Sequence, residues 1–240
     1  FIFYTKLEVL PTRIDFIDSF IGNTFFSYAL TVFCLMILIN GSNFIDGLNG
    51  LSIGYFSIIA IVLFKTDLFY SLGFSNEQFL FLIFAILLIL LLNYFNQLFI
   101  GDSGAYALSF LMGYSLIRVY NFNENISPYF IILLLWYPCF ENLFSIIRKI
   151  AIKKNPLKPD NKHFHQYLFR YLILKFNLKK IHANNFASIS INTFNLLIFY
   201  IGSLKMGYTY HQIILIILSV VFYLLIYKFL EKFLKTKDSY

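Results

Sequence analysis

Residues 79–92 read FLFLIFAILLILLL, fourteen consecutive apolar residues with neither a charge nor a proline. Carried on to Phe99, the run reaches the ~20 residues that an α-helix needs to cross a hydrocarbon core about 30 Å thick. Six more apolar segments flank it, at 24–40, 51–65, 104–120, 128–147, 186–204 and 212–230. Hydrophobic residues make up 59% of the 240-residue chain and charged residues only 13%, with a mean hydropathy of +0.73. An ordinary soluble domain carries about 25% charged residues, so this chain has too little polar surface to cover itself in water. The expectation is an all-α fold, a polytopic transmembrane bundle of about seven helices forming one domain over residues 1–240, with lipid as its solvent.

Local signals agree with several helix ends. Asn40-Gly41 offers a C-cap for the first segment, and Ser127-Pro128 an N-cap followed by proline at the first helical position. Cys34 and Cys139 lie inside apolar runs and read as small buried residues, with no metal or disulfide spacing. The sequence starts at Phe1 rather than Met and reads as the C-terminal part of a longer protein.

If each segment crosses once, the connections after the first, third, fifth and seventh share a side. One of them, residues 148–183, carries 10 of the 19 Lys and Arg against a single acid, Asp160, and the tail adds Lys232, Lys235 and Lys237. The opposite connections hold only Lys205. By the positive-inside rule the first set faces the cytoplasm, and residues 1–22 become an extracytoplasmic connection. The net charge of +7 is therefore a matter of topology and lipid headgroups rather than nucleic acid.

Three polar motifs fall on that cytoplasmic face, although none was used to assign it. The first is Asn43-Phe44-Ile45-Asp46-Gly47-Leu48-Asn49-Gly50-Leu51, where Asp46 stands between two asparagines beside glycines that permit a tight turn. A carboxylate this close to a membrane helix is expensive, which favours a coordination or substrate site over a capped polar turn. The second is Gly101-Asp102-Ser103-Gly104, either a helix N-cap or a hard oxygen ligand at a helix start, where free N–H groups also favour phosphate. Ala105, Ser109 and Gly113 follow as a small-residue stripe suited to close helix packing. The third, Pro159-Asp160-Asn161-Lys162-His163-Phe164-His165-Gln166, sets two histidines among lysines. Such a pair suits phosphate binding or acid–base work better than a zinc half-site, since no third ligand stands nearby. Carboxylates at helix ends facing His and Lys on one membrane surface describe cation-assisted phosphoryl transfer.

These motifs resemble those of the polyprenyl-phosphate N-acetylhexosamine-1-phosphate transferases. Asn43 to Leu51 is similar to the family's Asn-x-x-Asp-Gly-x-Asp/Asn-Gly-Leu signature, and Gly101 to Gly104 to its Gly-Asp-x-Gly motif. Pro159-Asp160 with His163 and His165 is similar to the Pro-Asp-x-x-His-x-His-His stretch of the O-antigen and teichoic-acid branch. The resemblance implies transfer of a sugar-1-phosphate from a UDP-N-acetylhexosamine to undecaprenyl phosphate with release of UMP, dependent on Mg²⁺, in the bacterial inner membrane. It implies Asp102 as a magnesium ligand with Asp46 as a second candidate, and Asp46, Asp102, His163 and His165 as the catalytic set. Asn43, Asn49, Arg148 and Lys162 would bind substrate. Glu141 stands where relatives carry an acid, with no role implied. The family's paired aspartates should precede Phe1, Asn49 replaces an acid, and Gln166 replaces the final histidine. A non-catalytic relative and a polyanion transporter stay open as alternatives, although a transporter should show more polar residues at midplane. A homodimer is equally open.

Overall fold

The computed structural model describes residues 11–153, residue 155 and residues 161–238. Nine α-helices and one short 3₁₀ turn, Leu68–Leu72, account for most of it, with no strand among the described residues. In chain order they are α1 (Asp15–Ile21), α2 (Thr24–Ile45), α3 (Leu51–Lys65), α4 (Asn76–Tyr94), α5 (Gly101–Phe122), α6 (Pro128–Ala151), α7 (Phe164–Phe176), α8 (Lys180–Ser203) and α9 (Thr209–Asp238). Five of them, α2, α4, α6, α8 and α9, are long and apolar enough to cross a membrane. The chain is a polytopic helical membrane protein. All seven apolar segments became helices, but the 15-residue α3 falls short of spanning length and α5 is outside the apolar five.

Burial explains the difference. Tyr55, Phe56, Ile59 and Leu63 of α3 have essentially no exposed surface, because α3 is enclosed by α4 and α8 with α2 and α5 beside it. The Tyr55 hydroxyl donates to the Leu134 carbonyl at 2.9 Å, so the polar group at the centre of this core is satisfied. The outer helices do the opposite. On α4, Leu80, Phe81, Phe84, Leu88 and Leu91 are exposed, and on α9 Ile214, Ile217, Leu218, Val221 and Leu225 are. Exposed apolar patches of that extent suit acyl chains.

The helix ends agree with the expected caps at one place and depart at another. The Ser127 hydroxyl accepts from the Tyr129 N–H at 3.3 Å with Pro128 beginning α6. Gly41 does not end α2, which runs on to Ile45. A Cβ at Gly41 would lie 2.0 Å from the Pro138 carbonyl oxygen; the missing side chain serves to bring α2 onto α6, where the Asn142 amide also donates to the Ile37 carbonyl at 3.1 Å. The stripe of α5 works in the same way: Ala105 and Ser109 are buried, and Gly113 admits Leu35 and Leu38 of α2. Cys34 is exposed rather than buried and Cys139 half-buried; both line an apolar groove of about 450 Å³ between α2, α5, α6 and α9.

Residues 148–183 are not a loop throughout. Arg148 and Lys149 belong to the last turn of α6, α7 fills the middle, and α8 starts at Lys180. The apolar spacing of Phe164, Tyr167, Leu168 and Leu172 buries α7 against α8 and α9, which a count of charges alone conceals. At the opposite end of the bundle, the Arg13 guanidinium donates to Ile126 O and Gly207 O at 3.3 Å and to Thr209 Oγ1 at 2.8 Å. Residues 11–22 therefore lie with the connections after α5 and α8.

Candidate active site

The connection from α2 to α3 is held by an array of asparagines. Asp46 caps α2, its N–H donating to Ser42 O at 3.1 Å and Asn43 O at 3.3 Å. Gly50 adopts φ +74, and the Tyr94 ring occupies the place a Cβ would take, 2.3 Å from Cζ. No L side chain fits there. From α4 and the turn after it, Asn93 accepts the Gly50 N–H at 2.5 Å and Asn96 accepts from the Asn49 side-chain amide. From α8, Asn184 accepts the Asn49 N–H at 2.9 Å and Asn192 donates to Gly50 O at 2.9 Å. Asn49 thus has a structural explanation of its own as the residue that anchors the turn. Asn93, Asn96, Asn184 and Asn192 carried no motif in the sequence, and nothing in their spacing announces that they converge.

This turn presents Asp46 to α5. Ile100 is the N-cap of α5 and makes no side-chain cap, so neither Asp102 nor Ser103 is spent there. Gly101 enters the helix at φ +61, and Asp102 stands exposed in the first turn. The Asp46 carboxyl is pushed up to about 7, first by burial and then by the nearby Asp102 carboxylate. Two carboxyl groups far apart in sequence thus share one field, and a cation between them would remove the repulsion. Asn43 is half-buried one turn earlier on α2. Among the described residues no three His, Cys, Asp or Glu side chains form a metal-binding group.

The histidines come to the same place. His163 is the extended N-cap of α7 and His165 its second helical residue, which sets their rings parallel, 5.7 Å apart at 10°. Gln166 completes the cap, accepting the His163 N–H at 3.3 Å, so the residue at the family's final-histidine position has its own task. His163 Nδ1 lies 2.9 Å from Glu141 Oε1, and its ring packs on Phe44 at 4.9 Å. His165 is wholly buried with neither ring nitrogen hydrogen-bonded. Burial and the neighbouring His163 hold it down to about 4 against the pull of Glu141, so the ring is neutral at pH 7. A Cβ on Gly47 would stand 2.9 Å from His165 Nε2; the turn bearing Asp46 and the turn bearing the histidines touch at this glycine.

Not every candidate joins the cluster. Arg148 lies within electrostatic reach of Tyr167 and Tyr227, and its Nη2 is 3.4 Å from Ser145 Oγ. Lys162 is exposed, and its carbonyl accepts from the Tyr227 hydroxyl at 3.0 Å. Pro159 and Asp160 lie outside the described residues. Glu141 was visible as the one acid in an apolar helix, a pattern that ordinarily marks function, but its partners were not.

Comparison with known proteins gives this geometry a context. Residues 1–120 match the family model described as glycosyl transferase family 4. An undecaprenyl-phosphate alpha-N-acetylglucosaminyl 1-phosphate transferase from Thermotoga maritima is 33% identical over 136 residues, 55% of this chain and 40% of that protein. A probable undecaprenyl-phosphate N-acetylglucosaminyl 1-phosphate transferase from Bacillus subtilis is 32% identical over 154 residues, 60% of this chain and 41% of its own. A decaprenyl-phosphate N-acetylglucosaminephosphotransferase from Mycolicibacterium smegmatis is 25% identical over 187 residues, 68% and 45% respectively. The chain spans less than half the length of these relatives. No solved structure matches it.

Proposed function

Because the chain belongs to glycosyl transferase family 4, we propose that it carries out phosphosugar transfer at a membrane surface: an N-acetylhexosamine-1-phosphate passes from a UDP-sugar to undecaprenyl phosphate, and UMP leaves. N-Acetylglucosamine is the sugar in the names of all three relatives, and polyprenyl phosphates are the acceptors named there. The observation that carries the reading is the convergence of Asp46, Asp102 and His165 from three separated motifs, with Asp46 raised by its neighbour and His165 buried without a partner.

In this reaction an oxygen of the lipid phosphate attacks the phosphorus that bears the sugar. The bond from that phosphorus to the oxygen bridging toward uridine breaks, and UMP keeps the electron pair. The difficulty is electrostatic, since two anions meet and a third departs. The site has suitable groups for each part. Asp46 and Asp102 fit Mg²⁺, which is commonly held by one or two carboxylates completed by substrate phosphates and water. Bound there, the ion would offset phosphate charge and align the reactants. His165, neutral and wholly buried against Gly47, would offer a nitrogen donor to a phosphate oxygen once substrate parts the two turns, satisfying the group that is otherwise left unmet. His163 and the backbone at the start of α7 would position the same phosphates, and Asn43 would line the nucleotide side. Lys162 and Arg148 would draw the polyanionic donor to this face, which by charge distribution is cytoplasmic, with the protein in the bacterial inner membrane.

The full-length protein in nanodiscs tests the reading. Asp46→Asn and Asp102→Asn should each lower Mg²⁺-dependent UMP release by about 100-fold or more, on the scale of losing one preorganised electrostatic group, while insertion and helical content stay unchanged. Wild-type turnover in both variants would sink the assignment.

A further inference from the structure

We propose that Glu141 is a positioning residue: its buried carboxylate ties the start of α7 to α6 and α9, and so fixes where His163 and His165 stand against the Asp46 turn. The inference rests on the phosphosugar transfer described above and deepens it.

Glu141 is 1% exposed on a helix long and apolar enough to cross a membrane. A carboxylate survives in such a place only if donors surround it, and here they arrive from two other elements. Oε1 lies 2.9 Å from His163 Nδ1 and accepts the Phe164 N–H at 3.3 Å; Oε2 accepts the Tyr223 hydroxyl of α9 at 2.8 Å. The Phe164 N–H is one of the first-turn donors that a helix cannot satisfy internally, and negative charge at that end is favourable. An ionised carboxylate only accepts, so His163 must donate from Nδ1, which sets its tautomer and ring plane. That ring is then held between Phe44, two residues before Asp46, and His165, which abuts Gly47. Glu141 holds the start of α7, and the histidines there touch the Asp46 turn. Packing of Phe164, Tyr167 and Leu172 and the Tyr227–Lys162 bond also secure α7, so removing the carboxylate should disturb the ring positions before it unfolds the helix.

The test uses full-length protein in nanodiscs. Glu141→Gln keeps the shape and can satisfy Phe164 and Tyr223 while giving up the charge that fixes His163. Its kcat/KM for UMP release should fall about 10- to 100-fold, the range typical of losing a group that orients a functional histidine, with the melting temperature nearly unchanged. Glu141→Gln combined with His163→Asn should be no slower than His163→Asn alone, because the first residue acts through the second; multiplied losses would overturn the proposal. A readout independent of turnover is the modification of His165 by diethyl pyrocarbonate, followed by mass spectrometry. His165 should be protected in the wild type and modified about 10-fold faster in Glu141→Ala at unchanged helical content. Equal protection would overturn the positioning role even if the enzyme is active. Should the wild type release no UMP from any UDP-sugar, the transfer reading fails by itself, and the modification rates still decide whether Glu141 places the histidines.

Discussion

Replacing Gly47 by alanine probes the junction between the Asp46 turn and the histidine turn with one methyl group. The new Cβ would stand 2.9 Å from His165 Nε2, 3.6 Å from its Cδ2 and 3.7 Å from the Phe44 carbonyl oxygen. Ordinary non-bonded contacts lie near 3.5–4.0 Å, so the imidazole has to retreat by roughly 0.6–1 Å. No positive φ is required at Gly47, which leaves the overlap as the main effect. The ring has little space to retreat into, being wholly buried and parallel to a His163 held by Glu141. Overpacking of this kind costs about 1–3 kcal/mol. The lower end applies here, because the obstacle is the tip of a side chain rather than backbone. At about 2–4 °C per kcal/mol for a chain of this size, the melting temperature should drop by only a few degrees. Catalysis should suffer more, since a 1 Å error in a reacting constellation can cost about 100-fold. The assays are UMP release and tryptophan-monitored melting of Gly47→Ala, His165→Ala and the double variant. Adding His165→Ala should abolish the stability penalty of Gly47→Ala, a coupling of about 1 kcal/mol. Strictly additive losses, or a Gly47→Ala enzyme with wild-type kcat/KM, would refute the contact.

Two further outcomes follow from the same geometry. His165 takes up a proton near 6.5 when unfolded and only near 4 when folded, chiefly because of burial. The unfolded state therefore binds this proton more readily between these values, so the contribution of His165 to stability is flat above about pH 6.5 and falls as pH drops toward 4, by up to about 3 kcal/mol. Asp46, raised to about 7, contributes in the opposite sense, so the difference in melting temperature between the wild type and His165→Asn across pH 4–8 isolates this contribution; a difference that does not change with pH would contradict a buried neutral ring. Gly41→Ala should cost more than about 3 kcal/mol, because its Cβ would meet the Pro138 carbonyl at 2.0 Å and backbone cannot swing aside. Gly22→Ala, with nothing closer than 3.8 Å, is the control, and equal yields of folded protein from both would disprove the tight α2–α6 crossing.

The three motifs were legible because chemistry confines polar residues to few places in so apolar a chain. An Asp, His or Asn-Gly turn beside a 20-residue hydrophobic run stands out by its cost alone. The same logic exposed the helices, since each depends on local composition. Local signals misled where one residue serves two ends: Asn40-Gly41 reads as a helix stop, but the bundle uses that glycine to let Pro138 approach. They also misled in the basic stretch, where charge hid the buried face of α7.

By itself the sequence determined a polytopic helical membrane protein with its conspicuous polar groups on one face, because hydropathy and helix periodicity are properties of neighbouring residues. Only the tertiary structure decided which of those groups meet. Asp46 lies in the field of Asp102, His165 rests on Gly47, Glu141 gathers His163 and Tyr223, and four asparagines hold one turn. Such meetings depend on how helices cross and which small residues let them approach, and those distances are not written in any one segment.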